Sequence, residues 1–133
     1  ECVSVERRKV LEAYGAELVL TPGCDKTDGA IRKAHEVVKQ EPEKYYMPNQ
    51  FENEWNWKSH YETTGPEIWE QTNGEVTHFV AGLGTTGTLV GTGRFLKEKG
   101  VRIIAMEPPL GHAIQGLKNM KEAIVQRSMI DCA

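Results

Sequence analysis

A chain of 133 residues fits one ordinary domain, and 39% hydrophobic with 26% charged residues is the composition of a globular protein rather than a disordered one. The formal charge of −3, with both signs mixed along the chain, excludes the basic field that nucleic acid needs. No apolar run approaches the ~20 residues that span a bilayer, so the expected partner is a small molecule, with neither nucleic acid nor membrane.

Taken in order, Ser4 is placed to cap a helix carrying Val5, Val10, Leu11 and Tyr14 on one face, and Gly15 ends it. Glu17 to Leu20 is a short apolar run closed by Thr21-Pro22-Gly23, which reads as a buried strand and a turn. A second helix, about Thr27 to Gln40, holds Ile31, Ala34, Val37 and Val38 at helical spacing and stops before Pro42; Lys44 to Met47 reads as another strand. The first fifty residues thus predict α-β-α-β, with a crossover unit of parallel strands. Pro48 to Trp57 is polar and aromatic without period, which predicts a domain crossing. A helical pattern follows from Asn56 to Thr72, and Gly65-Pro66 must break or kink it. Val76 to Ala81 reads as a buried strand, Gly82 to Thr88 as a turn, and the next residues as a helix to about Lys99. Val101 to Met106 is a second strand, giving another βαβ unit. A loop at Leu110-Gly111-His112, a short helix near Ala113 to Ile124 and a patternless ending from Gln126 to Ala133 complete the chain.

Three cysteines, Cys2, Cys24 and Cys132, are odd in number and far apart, so neither a disulfide framework nor a zinc site is expected and a reducing cytoplasm is the simplest compartment. The chain starts on Glu1 rather than methionine, with no signal peptide, as a piece of something longer would. His35, His60, His78 and His112 share no metal-ligand or catalytic spacing and read as structural. His60 stands out, since it could bond across the domain crossing. Trp55, Trp57 and Trp69 read as packing residues, there being no basic stripe to make them a stacking platform.

The chemistry concentrates in the turn between the strand at 76–81 and the helix after it. A strand feeding a helix through glycines aims free N–H groups and the positive end of the helix dipole at one point, which suits a phosphate. Gly82-Leu83-Gly84-Thr85-Thr86-Gly87 is a literal GxGxxG with Glu107 about 20 residues on, the pattern of a nicotinamide-dinucleotide site. A Walker A loop is excluded, because Thr88 stands where its lysine would be. Thr85, Thr86 and Thr88 crowd the turn with hydroxyls. A terminal phosphate monoester uses side-chain hydroxyls as well as amides, and pyridoxal phosphate carries one.

The stretches Ser4-Val5-Glu6-Arg7-Arg8 to Ala16-Glu17-Leu18, Asn49-Gln50-Phe51-Glu52-Asn53, His60-Tyr61-Glu62-Thr63-Thr64-Gly65-Pro66-Glu67-Ile68-Trp69, Gly84-Thr85-Thr86-Gly87-Thr88 and His112-Ala113-Ile114-Gln115-Gly116-Leu117 resemble, in that order, the middle of the cysteine synthase (O-acetylserine sulfhydrylase) family. These are pyridoxal-phosphate enzymes of fold type II, related to cystathionine β-synthase. Thr86 stands where many members have glycine, a form more similar to the B-type branch. The resemblance extends to about Val125 and implies a three-layer α/β fold with parallel strands, built from parts of two Rossmann-like domains. Residues 1–50 would belong to the smaller, mobile domain and residues 51–133 to the first part of the larger one.

By position, the resemblance implies that Gly84, Thr85, Thr86, Gly87 and Thr88 bind the phosphate of pyridoxal 5'-phosphate. It implies that Gln50 helps bind the substrate carboxylate, and that Gln115 and Gly116 line the cleft. The parent enzyme would make L-cysteine from O-acetylserine or O-phosphoserine and sulfide by β-replacement, as a cytoplasmic homodimer. The family's Schiff-base lysine stands in a Ser-x-Lys setting that no lysine here has; Lys58, in Trp57-Lys58-Ser59, reads as a solvated helix lysine. The isolated chain, an internal fragment on this reading, is therefore expected to be inactive. Two alternatives remain open: a dinucleotide-binding domain using Glu107, and a non-catalytic remnant.

Overall fold

The computed structural model describes residues 4–121, and these fall into two compact units, one ending at Met47 and the other beginning at Pro48. Cys2, Cys132 and the ending from Gln126 lie outside the described residues.

In the first unit, α1 (Val5–Ala13) starts where Ser4 accepts the Arg7 N–H at 3.4 Å. It ends at Gly15, whose φ of +82° lets the Ala16 N–H return to the Leu11 carbonyl. A short 3₁₀ turn, Gly23–Asp25, leads into α2 (Lys26–Gln40), on which Ile31, Ala34, Val37 and Val38 are all half-buried. The two strands expected at Glu17–Leu20 and Lys44–Met47 do not form. An extended segment becomes a strand only with a hydrogen-bonded neighbour. Neither segment has one, and Val19, Leu20 and Tyr46 are exposed. The apolar pattern there signals surface to be covered, not a ladder already made.

The second unit is built around one helix. Residues 55–71 run as α3 (Trp55–Ser59), a π-helical turn (His60–Thr64) and α4 (Gly65–Gln71). The break expected at Gly65-Pro66 takes the form of that wide turn: the Gly65 N–H reaches back five residues to the His60 carbonyl, and Pro66, lacking an N–H, sits in the first turn of α4. Next come β1 (His78–Gly82), α5 (Gly87–Glu98) and β2 (Arg102–Met106), with β1 and β2 parallel in register from His78 opposite Arg102 to Gly82 opposite Met106. Helix α5 lies between the sheet and the α3–α4 layer and holds most of the core, with Leu89, Val90 and Leu96 almost fully buried and Leu83 and Val101 flanking it. Gly91 makes this possible, since a Cβ there would collide with the Trp57 carbonyl oxygen and meet His60 Cβ at 2.7 Å. The sheet alternates as parallel strands with one covered face do: Phe79 and Ile103 turn inward, while Val80 and Ile104 are 59% and 41% exposed.

The α/β class with a parallel βαβ unit is as expected from the sequence. The helix expected from Ala113 is absent over the described residues to Lys121, which instead form turns. Gly116 adopts φ +86°, the Lys118 N–H goes to the Leu83 carbonyl at 2.6 Å, and Asn119 Nδ2 donates to the Pro108 carbonyl. Those groups are spent on the β1–α5 and β2 connections rather than on a helix.

Candidate functional site

The carboxyl end of β1 and the first turn of α5 meet at Leu83–Thr88, the place where open parallel sheets hold ligands. Leu83 is buried and pinned on both sides: its N–H donates to the Met106 carbonyl and its own carbonyl accepts from Lys118. Gly84 follows in close contact with the 115–118 segment, where a Cβ would lie 2.9 Å from the Gly116 carbonyl oxygen. Thr85 Oγ1 accepts from Asn56 Nδ2 at 2.9 Å and, at 3.4 Å, from the Gly87 N–H. Thr88 is exposed, with Oγ1 3.2 Å from His60 Nε2, and His60 Nδ1 is 2.9 Å from Thr64 Oγ1.

Thr86 is the anomaly. It sits at φ +74°, a conformation that a β-branched residue adopts only under strain, and it is 2% exposed. Its Oγ1 is buried with no hydrogen-bond partner, and it makes no capping bond to α5. Apart from the long bond from the Gly87 N–H to Thr85, the first turn of α5 therefore keeps amide donors that the helix cannot satisfy, with no cap from Thr86. An uncapped positive helix end beside an orphaned hydroxyl and two further threonine hydroxyls is chemically a cradle for a phosphate monoester. The residue set thus fits the phosphate end of pyridoxal phosphate.

The other expected site residues gather around the same point. Asn56 Nδ2, which holds Thr85, also donates to the Gln50 carbonyl at 2.6 Å, leaving the Gln50 side chain exposed. Gly116 faces Gly84, with Gln115 exposed beside it. Glu107 accepts the Met120 N–H at 2.6 Å. Asn56 and Lys118 had no signal in the sequence beyond their neighbours' motifs, because Asn56 reaches Thr85 across 29 positions of chain and Lys118 reaches Leu83 across 35; Thr64 meets His60 only four positions away. His60 was singled out, but its partners Thr64 and Thr88 both belong to the second unit. His78 pairs with adjacent Thr77, and His112 Nδ1 accepts the Ile114 N–H. No cluster of three metal-ligating side chains exists among the described residues.

Toward the other end of α5, a depression of about 660 Å³ is lined by Trp57, Lys58, Tyr61, Arg94 and Glu98, among others. It includes none of the loop residues. Arg94 stacks over the Trp57 ring at 4.2 Å, whereas Trp55, also expected to pack, is 62% exposed. Lys58 forms an ion pair with Glu54 and is only partly exposed, so it is a paired rather than a free helix lysine. That bond holds the Glu54 carboxyl below the ordinary carboxylate range. Tyr61 donates to Glu98 at 2.9 Å, and the neighbouring carboxylate raises the phenol above its usual value.

Known proteins resemble this chain along most of its length. The profile of the "Pyridoxal-phosphate dependent enzyme" family matches residues 1–129. Cysteine synthase of Aquifex aeolicus is 48% identical over 125 residues, covering 92% of this chain and 38% of that protein. Cysteine synthase A of Escherichia coli is 55% identical over 97 residues, covering 73% of this chain and 30% of that protein. Among solved structures, O-acetylserine sulfhydrylase isoform 3 of Entamoeba histolytica superposes with a TM-score of 0.74 at 44% identity, covering 86% of this chain and 38% of that one. The chain spans between a third and two-fifths of the length of most of these relatives, and slightly less of the Escherichia coli protein.

Proposed function

The chain belongs to the pyridoxal-phosphate dependent enzyme family, in the fold type II group of the cysteine synthases, and on that premise we propose that Gly84–Thr88 hold the phosphate of pyridoxal 5'-phosphate. The observation that carries this is Thr86, whose strained backbone and orphaned hydroxyl beside the uncapped first turn of α5 make sense once an anion accepts from it. Thr85 and Thr88 add their hydroxyls, and Asn56 fixes Thr85 relative to Gln50. The Gln50 amide meets the substrate carboxylate, and Gln115 and Gly116 form the wall opposite.

The activity we propose for the protein to which this segment contributes is β-replacement on O-acetylserine or O-phosphoserine by sulfide to give L-cysteine, in a cytoplasmic homodimer. Pyridoxal phosphate supplies the electron sink for that chemistry. The residues of this chain anchor it, orient the substrate and keep the anion's charge matched to the helix dipole. In this reading residues 1–50 belong to the smaller, mobile domain and residues 51–133 to the larger one. The Ser-x-Lys lysine that would join the cofactor covalently has no counterpart in these 133 residues, so the chain alone is expected to give no turnover.

A chimera tests the activity. In it the aligned 97-residue stretch of Escherichia coli cysteine synthase A is replaced by this chain's own. The chimera should make L-cysteine from O-acetylserine and sulfide; one that folds and takes up cofactor but makes none overturns the proposal. The dinucleotide alternative asks Glu107, whose Oε1 takes the Met120 N–H, to accept a ribose hydroxyl as well, and predicts dinucleotide binding that Glu107→Ala abolishes.

A further inference from the structure

We propose that His60 is a positioning residue for the anion site, its imidazole setting the direction in which the Thr88 hydroxyl points. The inference rests on the reading of Gly84–Thr88 as a phosphate cradle.

Thr64 Oγ1, the His60 ring and Thr88 Oγ1 form an unbroken line of hydrogen bonds, 2.9 Å to Nδ1 and 3.2 Å from Nε2. A neutral imidazole has one donor and one acceptor, so the line runs in one of two directions. In the first, Nδ1–H donates to Thr64 and the Thr88 O–H is spent on Nε2. Thr88 then shows the cradle only lone pairs, which repel an anion. In the second, Thr64 O–H donates to Nδ1 and Nε2–H donates to Thr88 Oγ1. The Thr88 hydrogen is then free to be given to a phosphate oxygen. Of the two neutral arrangements only the second is compatible with a bound anion, so anion binding and the His60 tautomer are coupled through Thr88.

The backbone is arranged to hold this line. Thr88 and Gly91 are three residues apart and share one face of α5, and the missing side chain at Gly91 lets His60 approach that face. His60 opens the π-helical turn, whose wide step places Thr64, four residues on, against Nδ1.

The test uses the full chain, with inorganic phosphate as the probe, histidine nitrogen NMR to locate the imidazole proton, and amide NMR to follow binding at the first turn of α5. The phosphate-bound protein should carry the His60 proton on Nε2. His60→Phe, which keeps the ring but no hydrogen bond, should weaken phosphate binding roughly tenfold, the loss of about one hydrogen bond. His60→Gln, whose amide nitrogen can stand where Nε2 stands, should bind within about twofold of the parent. A merely structural role would favour Phe over Gln. A bound state in which Nε2 carries no proton, or a Phe variant that binds like the parent, overturns the inference alone. A parent chain whose α5 amides do not respond to phosphate overturns the cradle reading and the inference with it.

Discussion

Replacing Thr86 by glycine should make the second unit more stable and its anion site weaker at the same time. A β-branched residue at φ +74° carries strain of about 1–3 kcal/mol, and a buried hydroxyl without a partner costs about 1–3 kcal/mol more. Glycine removes both. Against this stand roughly 0.8 kcal/mol for the lost buried methyl and about 0.5–1 kcal/mol for the greater freedom of unfolded glycine. The balance is a gain of about 2 kcal/mol. With a urea dependence of about 1.5 kcal/mol per molar, the midpoint should rise by roughly 1.3 M. Trp55, Trp57 and Trp69 all lie in the second unit, so tryptophan fluorescence follows its unfolding selectively. Phosphate affinity, measured by amide NMR of the same variant, should fall about tenfold or more, as expected for a lost hydrogen bond to a charged group. A Thr86→Gly protein less stable than the parent would refute the strain argument. Unchanged phosphate affinity would show that the hydroxyl serves no anion.

Three other substitutions probe the supports of the site. Gly91→Ala should destabilise the second unit by about 1–3 kcal/mol in the same fluorescence assay, since the new methyl meets the Trp57 carbonyl and α3 must retreat. Asn56→Asp should weaken phosphate binding more than Asn56→Ala, because it removes the donor shared by Gln50 and Thr85 and adds a like charge near the cradle. Equal effects in NMR titrations would count against an anionic ligand. Tyr61, hydrogen-bonded to Glu98, should ionise above the ordinary phenol range, and Glu98→Gln should bring it back in an absorbance titration of the four tyrosines. As the folded-state value is the raised one, any stability from this bond is present below the ordinary phenol value and is lost as pH rises through the raised one.

The parts legible in the sequence were those governed by local rules. The 3.6-residue period of α2, the glycine stop at Gly15, the break at Gly65-Pro66 and the strand-turn-helix expected over 76–99 and found at 78–98 all follow from propensity and turn chemistry within a few residues. The strands at 17–20 and 44–47 failed because an apolar run specifies burial but not its partner; the helix expected from Ala113 is absent over the described residues to Lys121, where Leu83, distant in sequence, claims the Lys118 N–H. The loop drew attention in the sequence through its glycines and threonines, which is what the proposal of a phosphate cradle there starts from. The bonds that frame it, Asn56 to Thr85, His60 to Thr88 and Lys118 to Leu83, were not legible there, since each joins residues that only folding brings together. Thr86 shows the distinction most sharply: its hydroxyl was legible, while its left-handed backbone and lack of a partner appear only in three dimensions.

The most direct measurement is a titration of the chain with pyridoxamine 5'-phosphate, which carries the cofactor's phosphate and ring but no aldehyde to react with surface lysines. Saturable shifts confined to the amides of Gly84–Leu89, lost in a Thr85→Val/Thr88→Val double variant, are the predicted result. Saturable binding of a nicotinamide dinucleotide that is abolished by Glu107→Ala, with no response to pyridoxamine phosphate, would contradict it.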